Sequence, residues 1–201
     1  MSDGLVELRH EGTVLRGVLS HDTRGLVFEG EGRTIVWDRA DIREARDEGG
    51  MLELRTARGL YTLALGDLGK LWESRAKGGS AIAEKLLVTE ATSATVVGDD
   101  VLGLGGDLVV AGAKIAKSPK ASSVDRVIFV VSTVADLAKA PAARAVLAPD
   151  GILWLVAKAK PDGFREIDAL PSLRKEGLRD ARGIKLTESW KATRFSAGKS
   201  K

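Results

Sequence analysis

Cysteine is absent from this chain of 201 residues, and histidine occurs only at His10 and His21. The first absence excludes disulfides, thiolate zinc sites, iron–sulfur clusters and cysteine nucleophiles. Two histidines exclude a multi-histidine metal site within one chain, and without a Gly-x-Ser-x-Gly elbow a Ser-His-Asp triad has no frame. No apolar run approaches the roughly 20 residues that span a bilayer. Met1-Ser-Asp-Gly4 lacks the basic start and apolar core of a signal peptide, so a cytoplasmic location is expected. Aromatic residues make up 4% of the chain, and the basic residues are interspersed with acids. That argues against sequence-specific nucleic-acid recognition and leaves weak nonspecific attraction.

What is present suits a folded chain: a 44% hydrophobic and 29% charged composition is that of an ordinary globular protein. The net charge of +3 conceals an asymmetry. Residues 1–75 carry 11 Lys and Arg against 14 Asp and Glu, with Lys70 their single lysine, whereas residues 76–201 carry 20 against 14. A shift of composition at one point suggests a domain boundary, and Gly78-Gly79-Ser80 is the best linker there. The expectation is two domains, 1–78 and 79–201.

Residues 5–65 read as short strands separated by turn signals about every 10 residues. The runs are 5–9, 13–19, 25–30, 33–37, 51–56 and 60–65, with Glu11-Gly12 and Glu31-Gly32 as tight connections. Leu52 and Leu54, then Tyr61, Leu63 and Leu65, show the period of two that places one face in a core. Asp67 is a plausible N-cap for a helix whose Leu68, Leu71 and Trp72 share a face, while Glu73, Ser74, Arg75 and Lys77 face solvent. This order of features resembles the pleckstrin-homology (PH) superfold with its GRAM-like members, in which an antiparallel β-barrel is closed by one C-terminal helix. The resemblance implies a docking role for this part, toward a protein or scaffold partner, or toward an anionic membrane. Arg9, Arg16 and Arg24 are the residues for an anion site, against which the acidic balance of this part argues. His10 and His21 sit near turns and are expected at the surface.

Beyond residue 79 strands alternate with helices, as in a parallel sheet with crossover helices. A short helix over 81–87 precedes the apolar run Thr95-Val-Val-Gly98. Gly103-Leu-Gly-Gly106, the second apolar run Leu108-Val-Val-Ala111 and the strand 125–131 follow. Thr133 caps a helix interrupted at Pro141, and Ala148-Pro-Asp-Gly151 feeds the unbroken apolar run Ile152 to Ala157. A turn followed by such a run is the pattern of a strand buried on both faces. Helical segments broken near Pro171 and a closing antiparallel pair, 184–190 and 192–195, complete the chain.

This order resembles a reduced class I methyltransferase Rossmann-like fold, in which a Pro-Gly-Gly turn enters the fifth strand and an antiparallel pair ends the sheet. The segment Gly177 to Phe195 is also similar to the end of an uncharacterised bacterial family of short Rossmann-like proteins. Thr187, Glu188, Ser189, Trp190, Arg194 and Phe195 are the matching or near-matching positions, with Thr187 standing where that family has an acid and Lys191 where it has a serine.

The candidate cofactor-binding residues are Gly98, Asp99, Asp100, Gly103 and Gly105, which follow a strand where a nucleotide-binding fold holds its ligand. Neither the dinucleotide fingerprint nor the acid-Gly-x-Gly form of methyltransferases is present. Glu188, Trp190 and Arg194 read as one strand face flanking an indole at a pocket mouth. Lys158 and Lys160 end the buried strand, where an anion could meet them. With no competent cofactor loop, no paired-acid site and no cysteine, the sequence points to a non-catalytic binding or adaptor protein that needs no cofactor. The alternative from another class is a divergent S-adenosylmethionine-dependent methyltransferase.

Overall fold

The computed structural model describes residues 5–79, 81–159 and 164–197. Lys160, Ser80 and the tail from Gly198 lie outside them. The chain forms two compact units that do not meet at one point in the sequence. The first comprises Met1–Ala81 with Val101–Val110, the second Ile82–Asp100 with Ala111–Lys201.

The first unit is a curled antiparallel half-barrel. Its strands are β1 (Val6–His10), β2 (Thr13–His21), β3 (Gly25–Gly30), β4 (Arg33–Asp38), β5 (Ile42–Glu48), β6 (Met51–Thr56) and β7 (Gly59–Ala64). They pair in the order β4-β3-β2-β1-β7-β6-β5, so β4 and β5 are open edges. Two hairpins are fixed by Glu-Gly pairs, Glu11 and Gly12 at φ 46° and 77°, Glu31 and Gly32 at 50° and 73°. Positive φ at both central residues gives a turn whose twist matches that of the strands. Along β2, Leu15, Leu19 and His21 face inward, and along β6 Leu52, Leu54 and Thr56 do so. With Phe28, Trp37, Tyr61, Leu63 and Trp72 these leucines build the core.

Strand β5 carries no apolar run. Five of the seven residues of Ile-Arg-Glu-Ala-Arg-Asp-Glu are charged, and only Ala45 is buried. A charged edge strand resists pairing with another chain, and it also hides its strand character from a hydrophobic pattern. Helix α1 (Gly69–Ala76) then packs against β5 and β6. Its N-cap is Leu68 without a side-chain cap, in place of the expected Asp67. Glu73 on this helix accepts from the outward Asp47 backbone N–H of β5 at 3.1 Å.

Helix α2 (Ala81–Lys85) and β8 (Ser93–Val97) lead into α3 (Leu104–Val110), which belongs to the first unit and packs against β2. The apolar run at 108–111 is therefore largely helical rather than a strand. Leu104 and Leu108, one helical turn apart, are both fully buried.

The second unit adds β9 (Lys114–Ile115), β10 (Val124–Val131), α4 (Ala140–Val146), β11 (Leu147–Lys158), α5 (Glu166–Lys175), β12 (Leu178–Lys185) and β13 (Trp190–Ala197). Its mixed sheet has the order β12-β13-β11-β10-β8-β9. Strands β9, β8, β10 and β11 are parallel, and β13 is antiparallel to both β11 and β12. This is a Rossmann-like arrangement, a mixed sheet with flanking helices. Residues 127, 129, 131, 153, 155 and 195 meet Ala140, Ala143, Ala169 and Leu173 of α4 and α5 on one face. On the other face the Trp154 indole donates to the carbonyl of Leu86, just beyond α2, at 2.8 Å. Both faces are covered, which is why Gly151 to Ala157 is buried without a break.

Helix α5 runs through Pro171 rather than breaking there. Proline removes the bond to the carbonyl of Ile167, and both residues are exposed, so water can serve that carbonyl.

Candidate functional site

From β8 the chain winds to β9 on one side and then returns to β10 on the other, so the winding reverses between β8 and β10. Open α/β sheets hold ligands outside the carboxyl ends of their strands at such a reversal. Gly98 ends β8 with φ 104°, and a side chain there would collide with the Val130 carbonyl of β10. The missing Cβ lets the two strand ends close on each other, and Asp99 and Asp100 leave from that point. Beyond β10, Asp136 accepts from the Ser132 and Thr133 backbone N–H groups at 3.1 and 3.0 Å and from the Thr133 hydroxyl at 3.1 Å. Burial pushes the Asp136 carboxyl up, but these hydrogen bonds and Lys139 hold it below the usual carboxylate range. The result is the capping box that starts the helical segment after Thr133.

Of the other expected residues, Lys158 ends β11 and sits opposite Trp190 in the β11–β13 register. Gly98, Asp99, Asp100, Lys158 and Trp190 thus gather at one end of the sheet. Glu188 does not share the face of Trp190. It lies in the turn before β13, exposed, and pairs with Lys185 at 2.5 Å. The turn is shaped by Thr187, whose hydroxyl accepts from the Trp190 backbone N–H at 3.1 Å. Arg194 is opposite Trp154, four residues along β13 and so about 13 Å from Trp190 at roughly 3.3 Å per residue. The expected grouping of Glu188, Trp190 and Arg194 around one indole is not formed.

Gly103 and Gly105 belong to the first unit. Gly103, at φ 65°, offers its carbonyl to Arg75 at 3.3 Å. Arg75 also grips Asp107 of α3 through two bonds, Nε to Oδ1 at 3.1 Å and Nη2 to Oδ2 at 2.5 Å. His21 Nε2 lies 3.4 Å from the same Oδ1. The side chains of Arg75, Asp107 and His21 are 0%, 2% and 1% exposed, which overturns the surface placement of Arg75 and His21. Trp72 completes the cluster, its ring 4.4 Å from the Arg75 guanidinium and edge-on to His21. Burial pushes the Asp107 carboxyl up, yet the hydrogen bonds and charge of Arg75, with the His21 ring beside them, outweigh it and hold the group below its ordinary value. One signal in the sequence pointed here: the alternation of β2 continues past Leu19 to His21.

The three arginines weighed as an anion site in the first unit are not assembled. Arg9 pairs with Glu7 at 2.8 Å, Arg16 reaches Glu7 at 4.0 Å, and Arg24 pairs with Asp22 at 3.2 Å. Among the described residues no group of His, Asp and Glu could hold a metal ion, and no helix is long and apolar enough to cross a membrane.

No family model matches the chain, and no curated protein matches its sequence. Solved structures do resemble it. The TehB-like SAM-dependent methyltransferase from Corynebacterium glutamicum is 12% identical, with 64% of this chain and 95% of that one covered at a TM-score of 0.41. A SAM-dependent methyltransferase from Aquifex aeolicus is 11% identical over 59% and 88%, at 0.44. The 1,6-didemethyltoxoflavin-N1-methyltransferase from Burkholderia thailandensis is 10% identical over 77% and 100%, at 0.46. At these identities the likeness is one of fold. Against the expectation of a non-catalytic adaptor that needs no cofactor stands the finding that these similar structures are SAM-dependent methyltransferases.

Proposed function

We propose that the second unit is the cofactor domain of a divergent S-adenosylmethionine-dependent methyltransferase. The observation that carries this reading is the sheet order β9-β8-β10-β11-β13-β12, whose winding reverses where Gly98, Asp99 and Asp100 emerge. The donor set there supports it. The ends of β8 and β10 offer carboxylates and hydroxyls, Asp99, Asp100, Ser132 and Thr133, while Lys158 stands one strand further on, at the end of β11. Such a crevice suits a ligand with a ribose diol and positive charge and without phosphate, and it suits a dinucleotide poorly. Bound S-adenosylmethionine would supply an electrophilic methyl group on a sulfonium. In this reading Asp99 and Asp100 accept hydrogen bonds from the cofactor's hydroxyl or ammonium groups, and Gly98 keeps the crevice narrow. Strand β9 is followed by Ala116 and Lys117, so ribose recognition falls to the residues after β8.

Within the same reading, the Thr187 to Phe195 segment, apart from Thr187 and Lys191, favours a place among the short Rossmann-like proteins that end in a Glu-Thr-Trp-Ser-x-x-Arg-Phe-type segment. The seven-strand order of the first unit and its α1 support a PH-type scaffold.

The test is calorimetric titration of the intact protein with S-adenosylmethionine and S-adenosylhomocysteine. Micromolar binding, weakened about tenfold or more by Asp99→Asn with Asp100→Asn through lost charge-assisted bonds, is the expected result. Absence of binding by both ligands at millimolar concentration would overturn the proposal.

A further inference from the structure

At the other end of the same sheet, two residue steps on β10, Val124 to Arg126, face five on β11, Leu147 to Ile152. The surplus on β11 loops out as Pro149-Asp150-Gly151, and beside it lies a depression of about 520 Å³. Arg144 reaches it from the last turn of α4, Arg194 and Ser196 from β13, and Ser122 from the turn before β10. Both arginines are half-buried, and neither has a hydrogen-bond or carboxylate partner among the described residues. Arg126 of β10 does not line the depression; its guanidinium donates to the Leu87 and Asp125 carbonyls at 3.1 and 2.8 Å and feels the charge of Arg194. Burial pulls its guanidinium below its ordinary value, Asp125 opposes that, and Arg194 adds to it by repulsion. Ser122 is held at φ 53°, a strained conformation for a residue with a side chain. One carboxylate, Asp150, stands at the rim.

We propose that this depression is a binding site for a phosphate monoester, separate from the crevice at the carboxyl ends of β8 and β10 and independent of the reading given for it. Two unpaired guanidinium forks have already lost part of their hydration and gain most from an anion that takes paired hydrogen bonds. With the Ser122 and Ser196 hydroxyls they offer more donors than a carboxylate's two oxygens can accept, and a phosphate group has three terminal oxygens for them. Asp150 repels a second phosphate at the rim and accepts from a hydroxyl of the organic part. That favours a monophosphate over the continuous charge of a polynucleotide.

The experiment titrates the intact protein with inorganic phosphate at constant ionic strength in chloride, followed by phosphorus NMR line broadening and by the thermal unfolding midpoint. Saturable binding is expected, weakened about tenfold or more in Arg144→Ala with Arg194→Ala, because charge-assisted bonds are the strong ones. The double lysine variant, Arg144→Lys with Arg194→Lys, keeps the charge without the fork and falls between the two; it decides the question should the alanine pair fail to fold. Equal responses of the wild type and the variants would overturn the proposal. So would a single-stranded oligonucleotide that binds through the same arginines more tightly than inorganic phosphate, since the occupant would then be a nucleic-acid backbone.

Discussion

Strand β6 buries Leu52, Leu54 and Thr56 and turns Arg55 to solvent, whereas β11 is buried at every position from Gly151 to Ala157. The first belongs to a sheet with one face in a core, the second to a sheet covered on both. The two units also treat arginine differently. Arg75 is fully enclosed and grips Asp107 through Nε and Nη2, while Arg144 and Arg194 stand half-buried around a depression and pair with no carboxylate among the described residues. Removing one member of a buried pair leaves an uncompensated charge, whereas a half-buried cation without a partner stands open to an anion.

Breaking the paired side of that contrast should have the largest effect. Asp107→Ala leaves Arg75 buried without its carboxylate and should cost about 3–5 kcal/mol, the usual range for one lost member of a buried pair. Urea denaturation followed through Trp37 and Trp72 measures it. Replacing both partners, Arg75→Met with Asp107→Leu, should recover most of the loss. The same carboxylate sets an acid limit. Its folded pKa lies below the unfolded value of about 3.9, so its contribution is complete above that value and disappears as pH falls through the folded one. In Asp107→Ala this part of the acid sensitivity should vanish from a pH series of unfolding midpoints.

In the second unit Gly98→Ala forces a methyl group against the Val130 carbonyl at positive φ, at a cost of about 1–3 kcal/mol, the range for overpacking. Trp154 and Trp190 report it. Trp154→Phe removes the bond to the Leu86 carbonyl and should cost about 1 kcal/mol. Arg174→Ala deletes an exposed pair with Asp180 and should leave the urea midpoint unchanged within error. A large loss there would dissolve the contrast between enclosed and exposed charge.

The sequence carried the architecture where apolar residues decide it. Alternation gave β1 to β4, β6 and β7, and the uninterrupted run gave β11 and its two covered faces. Charged β5 was lost because an edge strand needs few apolar residues. Leu108 to Val110 reads equally as strand or helix over so short a span, and only the neighbours of Asp107 decide for helix. The candidate site was legible at Gly98, Asp99 and Asp100, which directly follow a strand. Glu188 was misplaced because Thr187 starts a turn, and no periodicity reveals a turn made by one hydroxyl. The pairing of His21, Arg75 and Asp107 spans 86 residues of sequence, from 21 to 107, and nothing local announces it.

The docking of α3 on the first unit also has a consequence in time. A ribosome adding roughly 5–20 residues per second makes Ala81 several seconds before the stretch that carries Asp107 is complete and clear of the exit tunnel. Until then Arg75 has no carboxylate, so the half-barrel cannot reach its final stability when its own sheet and helix are finished. By then the chain has already laid down β8, the first strand of the second sheet. The order of synthesis therefore interleaves the two units, and a chain cut at the glycine pair Gly78-Gly79 would leave the first one permanently short of its last helix.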